Sequence, residues 1–166
     1  MRKEPCSNCG GEAHVRRGNF RYDQVGIPVL LLKIDLAKCP NCHNVDPIIS
    51  NLDGLMDAVA SGLVNKPYRL TGKEIRFLRK YLGKSQQDFS RLVRVDSTTI
   101  SKWENAQTPP SASADRLIRL LILSMSDRLE EPREKIISLL STAQETRREL
   151  KRPLLLDVAT GICQFV

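Results

Sequence analysis

Two pairs of cysteines carry the first chemistry in this chain. Cys6 and Cys9 stand in PCSNCGG, Cys39 and Cys42 in KCPNCHN, with 29 residues between the pairs. A C-x-x-C segment turns tightly, and two such knuckles supply four thiolates, the ligand set of tetrahedral zinc. Pro5 and Pro40 stiffen the approaches. Gly10 and Gly11 follow the first knuckle, where a sharp turn needs positive φ. Rubredoxin-like iron takes the same four ligands. The run from Cys39 to His43 also matches the c-type haem attachment pattern, but haem would leave Cys6 and Cys9 unexplained. Four protein ligands close a metal site, with no position left for water or substrate, so one structural Zn2+ that performs no reaction is expected. His14 and His43 are substitute ligands that four cysteines make unnecessary. Cys163, alone in an apolar stretch, reads as core packing.

The residues around the knuckles must position them. HVRRGNF and VLLLKIDLAKC read as strands joined by the turn-rich YDQVGIP. LLLKIDL alternates toward its end, as a half-buried strand does. Ser50 to Asp53 has capping-box spacing and predicts a helix to about Leu63. VNKPYRLTG reads as a linker broken by Pro67, so a helical unit beyond it is expected to melt cooperatively by itself when the metal unit is lost.

Charge separates the chain further. The 166 residues carry a net +7. Residues 1–66 hold 8 Lys and Arg against 7 Asp and Glu, residues 67–125 hold 11 against 5, and residues 126–166 hold 7 of each. A concentrated basic segment is the footprint expected for a phosphate backbone. The N-terminus lacks the apolar core of a secretory signal, and no apolar run is long enough to span a bilayer. A cytoplasmic protein with reduced thiols and no membrane partner is therefore expected.

The basic segment reads as short capped helices. Thr71 to Glu74 is a capping box before Ile75, Leu78 and Leu82, and Gly83 ends that helix. Ser85 starts a second helix that buries Phe89, Leu92 and Val93. Asp96 starts a third with Ile100 and Trp103 inward, and Gln107-Thr-Pro-Pro stops it. Ser113 starts a fourth with Leu117, Ile118, Leu121 and Ile122 inward. The fold class is therefore α+β: a small zinc-ribbon-like β domain over 1–66, then an all-α domain over 67–125.

The second and third helices have helix-turn-helix spacing. SQQDFSRLVRVDSTTISKWENAQTPPS resembles the Cro/C1 repressor class in its early Gln86, its apolar Phe89, Val93, Ile100 and Trp103, and its Trp-Glu-Asn. Arg94 departs from that pattern, standing where a turn glycine is usual, and Ala106 stands where another often does. The resemblance implies that the third helix enters the major groove with its outward residues at the base edges. Ser97, Thr98, Ser101 and Lys102 are those residues. Lys102 suits guanine O6 or N7, and Thr98 a base edge or a thymine methyl. Ser85 and Gln86 are expected at phosphate, with Arg69, Lys73, Lys84, Arg91 and Arg94 as further backbone contacts.

A paired C-x-x-C module followed by a Cro-like domain is similar to the MqsA-type antitoxins, with their YgiT-type zinc finger. The likeness covers roughly residues 1–125. It implies a homodimeric repressor of its own operon on palindromic double-stranded DNA, with a zinc domain that neutralises a small ribonuclease toxin. A stand-alone regulator is the alternative. The chain shows no Ser/His/Asp grouping and no phosphate loop, so an enzyme is not expected. Residues 126–166 lie beyond the likeness. Pro132 opens a helix with the stripe Ile136, Leu139, Leu140 and Ala143, and RPLLLDVATGICQFV reads as a strand or apolar tail. This extension either dimerises or folds back on its own chain.

Overall fold

The computed structural model describes residues 2–126, 129, 154–158 and 162–165. Four strands come first: β1 (Lys3–Pro5), β2 (Glu12–Tyr22), β3 (Val29–Lys38) and β4 (Val45–Pro47). Five helices follow: α1 (Leu52–Asn65), α2 (Gly72–Tyr81), α3 (Gln86–Val93), α4 (Ser97–Glu104) and α5 (Ala112–Met125). Strands β5 (Leu154–Asp157) and β6 (Ile162–Phe165) come last. The fold is α+β, an N-terminal antiparallel sheet holding the cysteines and then a helical region.

The sheet runs β1-β2-β3-β5-β6, with β4 also on β3. Strand β3 is its axis. One side of β3 pairs with β2 throughout. The other side pairs parallel with β5 from Val29 to Leu32 and antiparallel with β4 from Leu36 to Lys38. The change of partner coincides with a bulge. Gly18 faces Ile34 and Phe20 faces Leu31, so Leu32 and Lys33 oppose Asn19 alone. Lys33 takes φ 53°, and its N–H donates to Asn19 Oδ1 at 3.1 Å. The extra residue shifts the parity of the strand. Val29 and Leu31 before the bulge and Ile34 after it therefore all reach the main core.

The C-terminal segment folds back. β5 and β6 form a hairpin that extends the N-terminal sheet, and α1 lies against both. The expected helix over Ile136 to Ala143 lies outside the described residues, as does the side chain of Cys163.

Four of the five helices start at a side-chain cap, two of them displaced from the expected residue, while Asp96 stands at the N-cap of α4 but makes no side-chain cap bond. Thr71 and Glu74 form the expected capping box. Asn51, one residue after Ser50, caps α1 by accepting the Gly54 N–H at 2.8 Å. Ser111, not Ser113, caps α5 by accepting the Ala114 N–H at 3.1 Å. In both places a second good capping residue lay nearby.

The expected linker is instead part of the interior. Lys66 before Pro67 leaves the helical region, as a residue preceding proline does. Lys66 and Leu70 are nonetheless buried. Lys66 Nζ donates to both Glu74 carboxylate oxygens, at 2.9 and 2.7 Å. Asp115 of α5 accepts the Leu70 N–H at 2.7 Å and the Arg119 Nε–H at 2.9 Å. Arg119 also donates to the carbonyls of Val64, Lys66 and Tyr68, closing the end of α1. Charged groups in the interior need such partners. A single hydrophobic cluster accordingly runs from Tyr22 and Leu31 through Val59 and Leu63 to Ile75, Phe89, Ile118 and Leu156.

Candidate metal centre and nucleic-acid interface

The two cysteine knuckles repeat one backbone design. In the first, the Cys6 N–H donates to Gly11 O at 2.7 Å, and the Gly10 N–H donates to Cys6 O at 2.9 Å. In the second, the Cys39 N–H donates to Asn44 O at 2.9 Å, and the His43 N–H donates to Cys39 O at 3.0 Å. The N–H of Gly11 reaches the Cys9 sulfur, and that of Asn44 reaches the Cys42 sulfur. His43 therefore occupies the place of Gly10. Both have positive φ, 59° and 70°, and histidine tolerates this region better than most residues.

The sulfurs converge. Cys6 and Cys42 Sγ are 3.5 Å apart, Cys9 and Cys39 Sγ are 3.6 Å apart, and all four lie within 4.8 Å of one another. A tetrahedral M–S bond of about 2.3 Å implies S···S edges of about 3.8 Å. Disulfides require about 2.05 Å. The four thiols fit a structural metal ion, for which Cys6, Cys9, Cys39 and Cys42 would be the ligands. Neither histidine joins this group among the described residues. Ala13 packs beside Cys6 and Cys39, so alternation along β2 turns His14 to the opposite face.

Protons are unevenly held in the cluster. The Asn44 N–H, then the Asn8 side chain, with help from Cys6 and Cys9, pull the Cys42 thiol down to about 6. At Cys9 the Gly11 N–H also favours the thiolate. Hydrogen bonds to Cys42 and Cys39, together with desolvation, outweigh it and push the thiol up to about 12. Four sulfurs this close cannot all carry charge unless a cation sits among them.

In the helical region, Ile100 and Trp103 are buried, as expected. Ser97, Thr98 and Lys102 are exposed on α4, and Ser101 is half-buried beside them. Arg94 ends α3 in the left-handed conformation, φ 60° and ψ 46°. Its place between α3 and α4 is the turn where glycine is the easier choice. Ser85 is engaged locally. Its hydroxyl accepts the Asp88 N–H at 3.0 Å and donates to the Asp88 carboxylate at 2.6 Å. Gln86 turns inward, its Nε2 donating to Glu104 at 2.9 Å.

Glu104 is the residue that sequence reasoning missed, although it stands in the Trp-Glu-Asn run. It accepts from Arg79 Nε at 2.6 Å, Arg79 Nη2 at 3.0 Å and Arg76 Nε at 3.3 Å, as well as from Gln86. These bonds tie α2, α3 and α4 together. Burial by itself raises its carboxyl pKa. Hydrogen bonds from Arg79 and Gln86, the Arg79 charge and the Arg76 contact reverse that and hold it below the ordinary value. Gly72 fits against the same turn, since a Cβ there would collide with the Trp103 carbonyl.

Burial also sharpens the charge. Glu74, Glu104 and Asp115 leave the surface, three of the five acidic residues in 67–125. Of its 11 basic residues only Arg79 and Arg119 do so. The outside of this region is thus more basic than its composition. Among the described residues no helix is long and apolar enough to cross a membrane.

A helix-turn-helix family model matches residues 75–126, from α2 to the end of α5. No curated protein and no solved structure matches the chain. The matched domain is a DNA-binding regulatory domain, not a catalytic one.

Proposed function

We propose that this chain is a sequence-specific transcriptional repressor that binds a palindromic operator as a homodimer. The observation that carries this reading is the outward face of α4 within a matched helix-turn-helix and a basic surface. In this reading Thr98 and Lys102 meet base edges, while Ser97 and Ser101 flank them. Arg94 and the α3 start at Ser85 and Gln86 lie at phosphate, with backbone N–H groups of α3 available where the two side chains are engaged. The metal is structural Zn2+, held by Cys6, Cys9, Cys39 and Cys42.

We further propose that the protein is the antitoxin of a type II pair, with the zinc-bearing unit neutralising a ribonuclease-type toxin. The order of a paired C-x-x-C unit before a helix-turn-helix supports this reading. Mild affinity purification from native cells, with mass spectrometry of stoichiometric partners, tests it. Recovery of a small protein that arrests growth when expressed alone supports the antitoxin role. Recovery of the chain alone, still binding its upstream DNA, supports a stand-alone regulator. The buried Lys66–Glu74 and Arg119 contacts favour that second reading, because they give the zinc unit a scaffolding role that needs no toxin.

A further inference from the structure

The two knuckles are also joined away from the sulfurs. Ser7 lies inside the first knuckle, and its hydroxyl donates to Asp46 Oδ2 at 2.6 Å. Asn44 closes the second knuckle, and its Nδ2 donates to the same Asp46 oxygen at 2.8 Å and to Ser7 Oγ at 3.2 Å. Asn8, again of the first knuckle, donates to the Cys42 sulfur of the second. Asp46 itself is fixed by β4, where it pairs with Ala37, two residues before Cys39.

We propose that Asp46 is a positioning residue for the metal, acting through Ser7 and Asn44. Asn44 is the pivot. Its carbonyl accepts from Cys39, its N–H reaches the Cys42 sulfur, and its side chain reaches Asp46 and Ser7. Tilting the Asn44 side chain therefore disturbs both cysteines of its knuckle. Asp46 also holds Ser7 at a fixed distance, and with it the loop from Cys6 to Cys9. The sulfurs of the two knuckles are thereby held facing each other by a carboxylate that is not a ligand. Residues that orient ligands in this way alter metal affinity by about 10- to 100-fold when removed. A brace of this kind resists the parting of the knuckles through which a chelator enters, so the ion is held for stability and exchanges slowly. The inference rests on the zinc reading above.

The test is zinc release from the full chain to a chromophoric chelator, run beside the Co2+-substituted spectrum. The wild type should carry one zinc per chain and release it slowly. Asp46→Ala and Ser7→Ala should each release it about tenfold faster. The double variant should be faster than Asp46→Ala by much less than tenfold, because both single variants already lose the Ser7–Asp46 bond and only the Asn44–Ser7 bond is left to lose. The Co2+ spectrum should stay that of a tetrahedral four-sulfur site in every variant, showing that the ligands are unchanged. Asp23→Ala, an exposed carboxylate in the β2–β3 turn, should match the wild type. Release from Asp46→Ala and Ser7→Ala within twofold of the wild type overturns the brace and leaves the zinc site standing. A wild type that binds no zinc or Co2+ overturns the metal reading and the brace with it.

Discussion

Arg119 Nη1 donates to the carbonyl oxygen of Val64 at 2.8 Å, across 55 residues of sequence. This bond joins the fifth helix to the end of the first. Together with the apolar cluster that runs from Leu31 of the sheet to Ile118 of α5, it gives the cysteine-bearing sheet and the helical region one interior. Arg119→Ala should cost about 3–5 kcal/mol, the usual result of stranding the partner of a buried ion pair, here Asp115. The melting of the sheet and of the helices should move down together. For the same reason Cys39→Ser should lower the melting of the whole chain rather than leave the helices intact. Differential scanning calorimetry reads both, and two separate transitions in Cys39→Ser would refute the shared interior.

Arg94 holds a left-handed conformation at an exposed position. Arg94→Gly removes the Cβ conflict and should stabilise the protein by about 1 kcal/mol. Urea unfolding checks this. If Arg94 also touches phosphate, the same variant should lose DNA affinity at low salt and show a smaller salt slope.

Glu104 gives a pH dependence with a defined sign. Its folded pKa is held below the ordinary 4.5 by Arg79, Gln86 and Arg76 against the opposing effect of burial. The stability it contributes is full above the unfolded value and is lost as pH falls through the folded value. Thermal melts between pH 7 and pH 3 should show a decline below about pH 4.5. Glu104→Gln should start lower at pH 7 and fall less steeply. An identical decline in both proteins assigns the acid sensitivity to other carboxylates.

Lys102 projects from α4 without an ion pair among the described contacts. Lys102→Ala should weaken operator binding by about 1–3 kcal/mol and relax preference at one base pair, with the melting temperature unchanged. Arg91→Ala, where Asp88 already shares the guanidinium, should weaken binding to all sequences alike. Competitive binding to operator and scrambled duplexes separates the two outcomes.

Gly72 sits where α2 meets the backbone of Trp103. Gly72→Ala replaces a poor helix former with the best one, worth about 1 kcal/mol in isolation. The collision should reverse that gain, and the variant should melt below the wild type. A higher melting temperature would mean that α2 can withdraw from α4.

Local signals made much of this fold legible. The cysteine spacing, the Thr71 capping box and the apolar stripe of Ile100 and Trp103 each act over a few residues, and each appears in the structure. Expectations failed where partners are distant. Lys66 lies in the stretch that reads as a linker beside Pro67, and its burial depends on Glu74 and on the closing of α1 by Arg119. Residues 154–157 lie in a stretch that reads as a strand or an apolar tail, and nothing nearby says that they pair in parallel with Val29 to Leu32. The Lys33 bulge likewise has its partner, Asn19, in another strand. The exposed face of α4 was legible. The inward turn of Gln86 was not, because Glu104 reads as a surface residue.

The parallel pairing of β3 with β5 has a consequence for synthesis. Val29 to Leu32 leave the ribosome more than a hundred residues before their partners at Leu154 to Asp157. Until then one flank of an apolar strand has open backbone groups, a template for wrong pairing with other chains. Contacts so far apart in sequence also form slowly. Early metal capture by the two knuckles, both complete by Asn44, would fix β1 to β4 while that flank waits.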